Sequence, residues 1–240
     1  MPEASCKNCG TPLRPEDKFC AQCGQSARTK RLKIRQIRKD AIKRWLHVDS
    51  GILYLTAALA RRPGVVAREY FAGRRKTYYE PLKYLTLTVG ISALLTAYFD
   101  LMSAGGDRQN PVSDFVAEHI NIIFFLSVPL AAAFSRLLFF KKGFNYAEHL
   151  TLHAFLGGFR TVFFLLVFTP LIVFFREHYS KVLLLYFSLW TAYVAWANVQ
   201  LMGTPYWLTV LKSILIIVFT QIAISFMIFS IAHLYFRASG

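Results

Sequence analysis

The chain has 240 residues, 55% of them hydrophobic and 22 of them phenylalanine, with a mean hydropathy of +0.39. This composition excludes a soluble domain with an ordinary polar surface. The formal charge of +15 is typical of many nucleic-acid binders, but residues 1–83 carry 19 Lys and Arg against 7 Asp and Glu, whereas residues 84–240 carry 9 against 6. A basic block in front of an apolar one favours an anionic membrane surface over nucleic acid as its partner.

Four cysteines open the chain as two knuckles, Cys6-x-x-Cys9-Gly10 and Cys20-x-x-Cys23-Gly24. In each knuckle a glycine follows the second cysteine, where a tight turn needs a positive φ. Four thiolates around one tetrahedral Zn²⁺ explain this spacing better than disulfides or free thiols, because a cytosolic N-terminus is reducing. The predicted ligands are Cys6, Cys9, Cys20 and Cys23. Since protein fills all four positions, the zinc is structural and lets residues 1–27 fold as a ribbon without a hydrophobic core.

A basic segment follows at residues 28–48, where nine Lys and Arg face the single Asp40. Its apolar residues recur at spacings of three and four, which predicts an amphipathic linker helix. Such a helix beside a membrane span binds the membrane interface, although it can also pack on the protein's own cytosolic face. The predicted membrane-surface contacts are Arg31, Lys33, Arg35, Arg38, Lys39 and Trp45.

Residues 49–81 are too polar to cross a membrane. Ile52 to Ala60 is a short apolar stretch that ends at Arg61-Arg62-Pro63-Gly64, and a second helix can run from Val65 to Gly73. Proline and glycine end helices, so this segment predicts two short interfacial helices that lead into the first span.

The order of these motifs carries a family resemblance. The motifs are the CxxCG and FCxxCGQ pair, Asp49-Ser50-Gly51, Arg62-Pro63-Gly64, Glu69-Tyr70, Gly73-x-Arg75 and Tyr79-x-Pro81. Over residues 6 to about 90 the chain resembles a bacterial family of zinc-ribbon, multispanning membrane proteins classed as a domain of unknown function. The resemblance implies an architecture and an inner-membrane location, but it supplies no mechanism.

Residues 82–240 predict a transmembrane helical domain, because apolar runs of about 20 residues recur along it. The five predicted spans are Leu82 to Phe99, Ile120 to Phe140, Leu150 to Phe175, Val182 to Met202 and Trp207 to Phe236. The predicted fold class is therefore an all-α polytopic membrane protein with about five transmembrane helices and a small N-terminal zinc ribbon.

The orientation of the chain follows from the charges that flank its spans. Basic residues precede the first span and follow the second, whereas the loop between these spans contains Asp100, Asp107, Asp114 and Glu118. The positive-inside rule then predicts a cytosolic N-terminus and, with five spans, a C-terminus on the other side of the inner membrane.

The third span carries polar residues on one face. At 100° per residue, Asn145, His149, His153 and Arg160 share that face, and Glu148 lies beside it. A charged residue inside the membrane is a candidate functional residue, and the proposed neutralising or hydrogen-bonding partners of Arg160 are Asp100, Asn198 and Gln221. The candidate ligand-binding residues are Asn145, Glu148, His149, His153 and Arg160.

Three interpretations of this face stay open. It can bind an anionic lipid or small anion, its histidines can ligate a catalytic metal, or it can hold the bundle together by hydrogen bonds. We favour binding over an enzyme, because the chain lacks a third metal ligand at a recognisable spacing and any phosphate loop or nucleophile elbow. The sequence thus predicts a membrane-embedded binding or scaffold protein whose ribbon meets a cytosolic protein, with a metal-dependent enzyme, a transporter or a channel as alternatives. Nucleic acid is a less favoured partner.

Overall fold

The structure is a computed structural model that describes residues 4–35, 37, 51–98 and 111–238, with side chains described except at 4, 96–98, 111–118, 176 and 232–238. The chain forms one small sheet in the ribbon and eight α-helices within the described residues 51–98 and 111–238. They are β1 (Ala4–Ser5), β2 (Pro12–Leu13), α1 (Gly51–Arg61), α2 (Pro63–Ala72), α3 (Pro81–Tyr98), α4 (Pro111–Leu138), α5 (Tyr146–Phe163), α6 (Thr169–Phe174), α7 (Tyr179–Met202) and α8 (Tyr206–Ala238).

The ribbon is built from two hydrogen-bonded turns. β1 and β2 pair antiparallel, with Ala4 opposite Leu13, and the second turn is closed by a bridge between Phe19 and Ser26. Gly10 and Gly24 have φ values of 80° and 67°, as the knuckle spacing predicts.

α1 and α2 form a short helical pair. The boundaries of α2 lie at the proline and the glycine from which the sequence predicted them. Pro63 occupies the first turn of α2, where its missing N–H costs nothing, and Gly73 ends the helix in the left-handed region at φ 115°. The buried face of α1 contains Leu55 and Leu59, which join a core cluster with Tyr84 and Phe155. Their location at a membrane interface stays a prediction.

Four segments of the described chain are long and apolar enough to cross a membrane. They are His119–Leu138 of α4, Tyr146–Phe174 of α5 with α6, Tyr179–Met202 of α7 and Tyr206–Ile231 of α8. The apolar stretch of α3, Pro81–Leu95, is shorter. The chain is therefore an all-α polytopic membrane protein, and α3 decides whether it has four or five spans.

One end of the bundle gathers two turns and the ribbon, and we call this end the ribbon side. Lys142 Nζ donates to the carbonyl of Gly203 at 3.2 Å, which joins the α4–α5 turn to the α7–α8 turn. Arg31, just after the ribbon, contacts the first turn of α5 at the same end. α4 must then begin at the opposite end, so the chain before it crosses the bundle. At about 1.5 Å per residue α3 is roughly 27 Å long and can make this crossing as a fifth span.

α5 lies at the centre of the packing, against α1, α2, α3 and α4, while α8 packs against α4 and α7. Two glycines permit this density. A Cβ at Gly158 would lie 2.4 Å from the ring of Tyr84, and one at Gly157 would lie 3.1 Å from Leu85 and Val128. Small residues of this kind let membrane helices approach closely.

The segment between α5 and α6 departs from regular α-helical geometry. Residues Phe164–Phe168 form a π-helical segment that is followed by α6, whose first turn contains Pro170. Proline cannot donate the hydrogen bond that a regular α-helix requires, and the wider turn accommodates this loss.

Two predicted features lie largely outside the described residues. The linker helix is described only at Ile34, Arg35 and Ile37, which are helical, so its remaining length and the contacts of Arg38, Lys39 and Trp45 lie outside. Of the acidic loop, Asp100 and Asp107 lie outside the described residues, as do the side chains of Asp114 and Glu118.

Candidate functional site

The four cysteine sulfurs converge in the ribbon. All four Sγ atoms lie within 4.8 Å of one another, and the cross-knuckle pairs Cys6–Cys23 and Cys9–Cys20 are each separated by 3.6 Å. Tetrahedral coordination with Zn–S bonds of about 2.3 Å requires sulfurs roughly 3.8 Å apart. The spacing fits a metal ion held by four thiolates. The described residues contain no other group of three or more His, Cys, Asp or Glu that could hold a metal.

The ribbon prepares some of its sulfurs as thiolates. The hydrogen bond from Thr11 lowers the pKa of Cys9 to about 6, whereas burial raises the pKa of Cys23 to about 11. A bound metal ion would favour the deprotonated form of all four, since only thiolates are ligands. The site is closed by protein and offers a substrate no coordination position.

Gln25, directly after the second knuckle, fastens the ribbon to the membrane domain. Its backbone carbonyl accepts from Cys20 N at 2.8 Å, so the knuckle fixes its position. Its side-chain nitrogen donates to the carbonyl of Gly73 at 2.7 Å, and its side-chain oxygen accepts from Arg75 N at 3.1 Å and Lys76 N at 3.3 Å. Gln25 is buried, and its hydrogen bonds join the ribbon and the membrane domain into one structure.

The first knuckle adds a second set of contacts to the same loop. Asn8 Oδ1 accepts from Lys76 N at 3.2 Å and from Thr77 N and Oγ1 at 3.1 and 3.0 Å. Arg75 extends the contact by donating to the carbonyl of Lys30 at 2.6 Å. We call the loop 73–77 with its partners Asn8 and Gln25 the ribbon dock.

A carboxylate beneath the ribbon dock explains much of the motif string from residue 62 to residue 78. Glu69 pairs with Arg62 at 3.2 Å and with Arg74 at 3.3 Å, and it accepts from Tyr78 Oη at 2.6 Å. Burial opposes ionisation of Glu69, but the hydrogen bond from Tyr78 and the two arginines hold its pKa below the usual value. This network connects the two ends of α2 to the chain that enters α3.

Gly64 completes the string by allowing α2 to touch α7. A Cβ at Gly64 would lie 2.2 Å from the carbonyl oxygen of Ala197. Gln200 of α7 uses the space to accept from Gly64 N at 2.9 Å, which satisfies a free N–H at the start of α2. Arg68 donates to the carbonyl of Gln200 from the next turn.

Two of the candidate ligand-binding residues clamp the start of the linker. Asn145 and Glu148 form a capping box at the N-terminus of α5. Arg31 binds Glu148 through two nitrogens, Nε at 2.8 Å and Nη2 at 2.6 Å, and also donates to the carbonyl of Gly143 at 2.5 Å. Asn145 Nδ2 donates to the carbonyl of Leu32 at 3.0 Å. We call these contacts the linker clamp; through them Arg31, predicted to contact lipid, binds a buried protein carboxylate, while Lys33 and Arg35 are exposed.

His149 and His153 are buried one helical turn apart inside the bundle. His149 Nδ1 lies 2.9 Å from Ser135 Oγ of α4, and the ring packs edge-on against Phe144. The Nε2 atoms of both histidines are buried without a hydrogen-bond partner among the described residues. Neither histidine bonds to Arg160 in that part of the chain, so the predicted stripe is divided into separate contacts.

Arg160 lies among aromatic rings, and neither of its two predicted partners that the structure describes is shown bonded to it. Asp100 lies outside the described residues, Asn198 donates to Ser213 at 3.0 Å, and Gln221 is exposed. Arg160 Nε instead donates to Tyr186 Oη at 2.7 Å, and its guanidinium carbon lies 5.1 Å from the ring centre of Phe124 and 5.5 Å from those of Tyr186 and Trp190. No carboxylate in the described part of the chain forms an ion pair with it.

The rings around Arg160 belong to a larger seam between α5–α6 and α7. Tyr186 packs edge-on against Phe164 at 5.5 Å and Phe168 at 4.5 Å, both in the π-helical segment. Phe159, the neighbour of Arg160 in α5, stacks on Tyr193 of α7 at 4.9 Å. We call this set of rings, together with Arg160, the aromatic seam. π-Helical turns are frequent at functional sites, and here one adjoins the only charge of the seam among the described residues.

Comparison with known families agrees with this architecture. Residues 5–26 match the model of a zinc-ribbon domain, and residues 49–93 match the model of a protein of unknown function (DUF3667). The predicted resemblance to a zinc-ribbon family of unknown function is confirmed, and the second match covers α1, α2 and most of α3. Neither curated proteins nor solved structures give a match. The chain is a membrane protein with an N-terminal zinc-ribbon metal site.

Several residues at these sites were not predicted from the sequence. Asn145 and Glu148 were predicted as ligand-binding residues, but Asn145-x-x-Glu148 in front of an apolar run is also a capping-box pattern, and in the structure the two residues cap α5. No local sequence pattern marks four other site residues, because their partners are far away in the chain. These residues are Asn8, Gln25, Tyr186 and Gln200.

Proposed function

We propose that this protein is a membrane scaffold that holds a zinc ribbon in a fixed position and presents its free face to a cytosolic protein. The ribbon dock carries the proposal, since Gln25 and Asn8 hold the ribbon against the loop 73–77 at both knuckles. A ribbon on a flexible tether needs no such contacts. A fixed ribbon places whatever binds it at a defined distance from the membrane.

The resident metal of the ribbon is one structural Zn²⁺ in this proposal. The four sulfurs match its preferred ligands and spacing, and the zinc-ribbon match supports this choice over iron. The four cysteines would hold the ion, and their role is to keep Asn8 and Gln25 in position to hydrogen-bond with the loop 73–77.

The free face of the ribbon differs from the docked face. Phe19 is 65% exposed on the second turn, and the nearby Arg14 and Lys18 are balanced by Glu16 and Asp17. An exposed aromatic ring with no excess of positive charge suits a protein surface better than a phosphate backbone. Nucleic acid is accordingly the less favoured partner.

The ribbon side faces the cytosol of a bacterial inner membrane in this proposal. Lys141, Lys142 and Lys212 are grouped at this end, where Lys212 Nζ donates to the carbonyl of Leu138 at 2.7 Å. The positive-inside rule then supports a cytosolic ribbon. Lys33 and Arg35, which are exposed, extend the same charge toward anionic lipid.

Site-specific photo-crosslinking in native membranes tests the scaffold. A benzophenone amino acid at Phe19 should give an adduct of one reproducible mass that contains a soluble protein, and purified partner should bind the chain in detergent. The same probe at Lys7, beside Gly73, serves as the control and should react within the chain. A Phe19 probe that yields no discrete adduct, while the Lys7 probe reports a docked ribbon, would overturn the scaffold.

A second candidate function is anion binding inside the membrane at Arg160. Its charge is unpaired within the described chain, and an arginine held in hydrocarbon costs several kcal/mol unless a partner, water or ligand compensates it. An anionic lipid or small anion that binds there would supply the missing charge.

Changing Arg160 to Gln separates this function from simple packing. Glutamine removes the charge while it can still hydrogen-bond to Tyr186, so the protein should keep its abundance and lose the anion that co-purifies with it in native mass spectrometry. If the variant instead loses thermal stability and retains the same bound molecules, Arg160 is a structural residue and the anion site is rejected.

A further inference from the structure

We infer that the anion recognised at Arg160 is the carboxylate of a single-chain hydrophobic acid, such as a long-chain alkyl carboxylic acid. The inference rests on the anion site proposed above and specifies its ligand. Four observations carry it, namely the charge, the free donors, the surrounding rings and the depth of the site.

The charge of the site matches a monoanion. Arg160 is the one cation of the aromatic seam within the described chain, and the rings that pack around it, those of Phe124, Tyr186 and Trp190, are neutral. A ligand with one negative charge would balance it, whereas a doubly charged phosphate monoester would leave a buried excess charge.

The free donors suit a planar acceptor. Tyr186 occupies Nε of Arg160, and the described chain provides no hydrogen-bond partner to the two Nη groups, which lie in one plane. Two coplanar N–H donors bind a carboxylate in a bidentate manner. Because Tyr186 Oη accepts from Arg160, its own hydrogen remains to donate to the same ligand.

The walls of the site are apolar beyond these donors. Tyr186 contacts Phe164 and Phe168, and Trp190 stacks on Tyr193 at 5.5 Å. A small hydrated anion would lose its hydration shell here and would interact only with the guanidinium of Arg160 and the hydroxyl of Tyr186. An alkyl chain gains by leaving water, so the rings favour a ligand with an apolar tail.

The position of Arg160 along its membrane span favours a single-chain carboxylic acid over a two-chain phospholipid. The span Tyr146–Phe174 has 29 residues, and Arg160 is its central residue, about 21 Å from either end at 1.5 Å per residue. The headgroup of a two-chain phospholipid is held at the membrane surface, roughly 15 Å from the midplane. Phosphodiesters also remain charged at neutral pH, whereas a carboxylic acid can enter hydrocarbon in its neutral form.

Trp190 provides a direct readout, because its ring lies 5.5 Å from the guanidinium of Arg160. In a variant that retains Trp190 as its sole tryptophan (Trp45→Phe, Trp196→Phe and Trp207→Phe), a bromine-labelled octadecanoic acid should quench the fluorescence in a saturable manner. Unlabelled octadecanoic acid should reverse the quenching. The matching bromine-labelled alcohol should quench at least tenfold more weakly, since it lacks the carboxylate.

Arg160→Gln in the same background tests the role of the charge. The acid should then quench no better than the alcohol, while the melting temperature of the protein stays near that of the parent. Tyr186→Phe should weaken saturation several-fold, since it removes the second donor. Equal quenching by acid and alcohol in the parent would overturn the carboxylate, as would acid quenching that survives Arg160→Gln.

Inorganic phosphate and an anionic phospholipid distinguish failure of the ligand class from failure of the site. If either of them changes the fluorescence of Trp190 in the parent but not in Arg160→Gln, while the acid has no effect, the anion site stands and the carboxylate is wrong. If no anion acts through Arg160, both proposals fall together.

Discussion

The ribbon dock and the aromatic seam contain comparable polar groups, but the chain satisfies them to different degrees. In the ribbon dock, Gln25 and Asn8 form hydrogen bonds with backbone groups of the loop 73–77. Beneath it, Glu69 forms ion pairs with two arginines and a hydrogen bond with a tyrosine. In the seam, Arg160 has one hydrogen bond and three aromatic rings as its contacts among the described residues. A set of groups that is already complete holds the fold, whereas donors left over in an apolar setting indicate a ligand.

The comparison predicts that changes near the ribbon dock alter metal content or stability, and that Arg160→Gln alters binding. A variant that reverses this pattern would contradict it. The expected effects range from complete loss of the metal to a difference in melting temperature that is seen only in acid.

The largest effect concerns the metal. Purified protein should contain one equivalent of Zn²⁺, and Cys6→Ser with Cys20→Ser should remove it, because two thiolates cannot complete a tetrahedral site. Elemental analysis measures the zinc, and proteolysis should then cut the ribbon. Ala21→Ser, an exposed change in the same knuckle, is the control. Full zinc in the double variant, or iron in the wild type, would contradict the assignment.

The next effect concerns the contact between α2 and α7. In Gly64→Ala the new Cβ would lie 2.2 Å from the Ala197 carbonyl and 2.6 Å from Gln200 Cβ, so the two helices must separate. Overpacking of this kind costs about 1–3 kcal/mol, or more where backbone is involved. The melting temperature in detergent should fall clearly.

Gly90→Ala is the matched control for this change. Gly90 lies in α3 with nothing within 4 Å of an added Cβ, and alanine favours a helix by about 1 kcal/mol over glycine. It should leave the melting temperature unchanged or raise it. If both variants behave alike, the close approach of α2 to α7 does not occur in the folded protein.

A smaller effect is expected at the linker clamp. Glu148→Gln preserves the capping box but removes the charge that Arg31 binds, and Glu148 is only 3% exposed. Because Arg31 is half exposed and can recover water, the loss should be about 1–2 kcal/mol rather than that of a fully buried pair. A double-mutant cycle with Arg31→Gln measures the coupling, with Lys33→Gln as the exposed control. Additive effects would show that the pair does not form.

The sequence predicted the elements of this fold better than it predicted its polar contacts. Knuckle glycines, Pro63, Gly73 and long apolar runs act locally, so the ribbon, the breaks around α2 and the long helices followed from chain order alone. The partners of Arg160 and Glu148 lie 26 and 117 residues away, and helical periodicity only indicates which face a residue occupies. The predicted stripe therefore gathered residues of one face that the structure assigns to separate neighbours.

The smallest effect is a pH dependence at Glu69. Tyr78, Arg62 and Arg74 hold the pKa of Glu69 below its ordinary value of 4.5, although burial opposes them. A depressed folded pKa means that the stabilisation is present above the unfolded pKa and is lost as the pH falls through the folded one. Lowering the pH from 6 to 3.5 should therefore reduce the melting temperature of wild type more than that of Glu69→Gln. Glu80→Gln, whose carboxylate is 40% exposed beside Lys83, controls for general acid effects. Loss of zinc in acid affects all three proteins alike, so the difference between them isolates Glu69. Parallel acid curves for wild type and Glu69→Gln would show that the network beneath the ribbon dock does not stabilise the charged carboxylate.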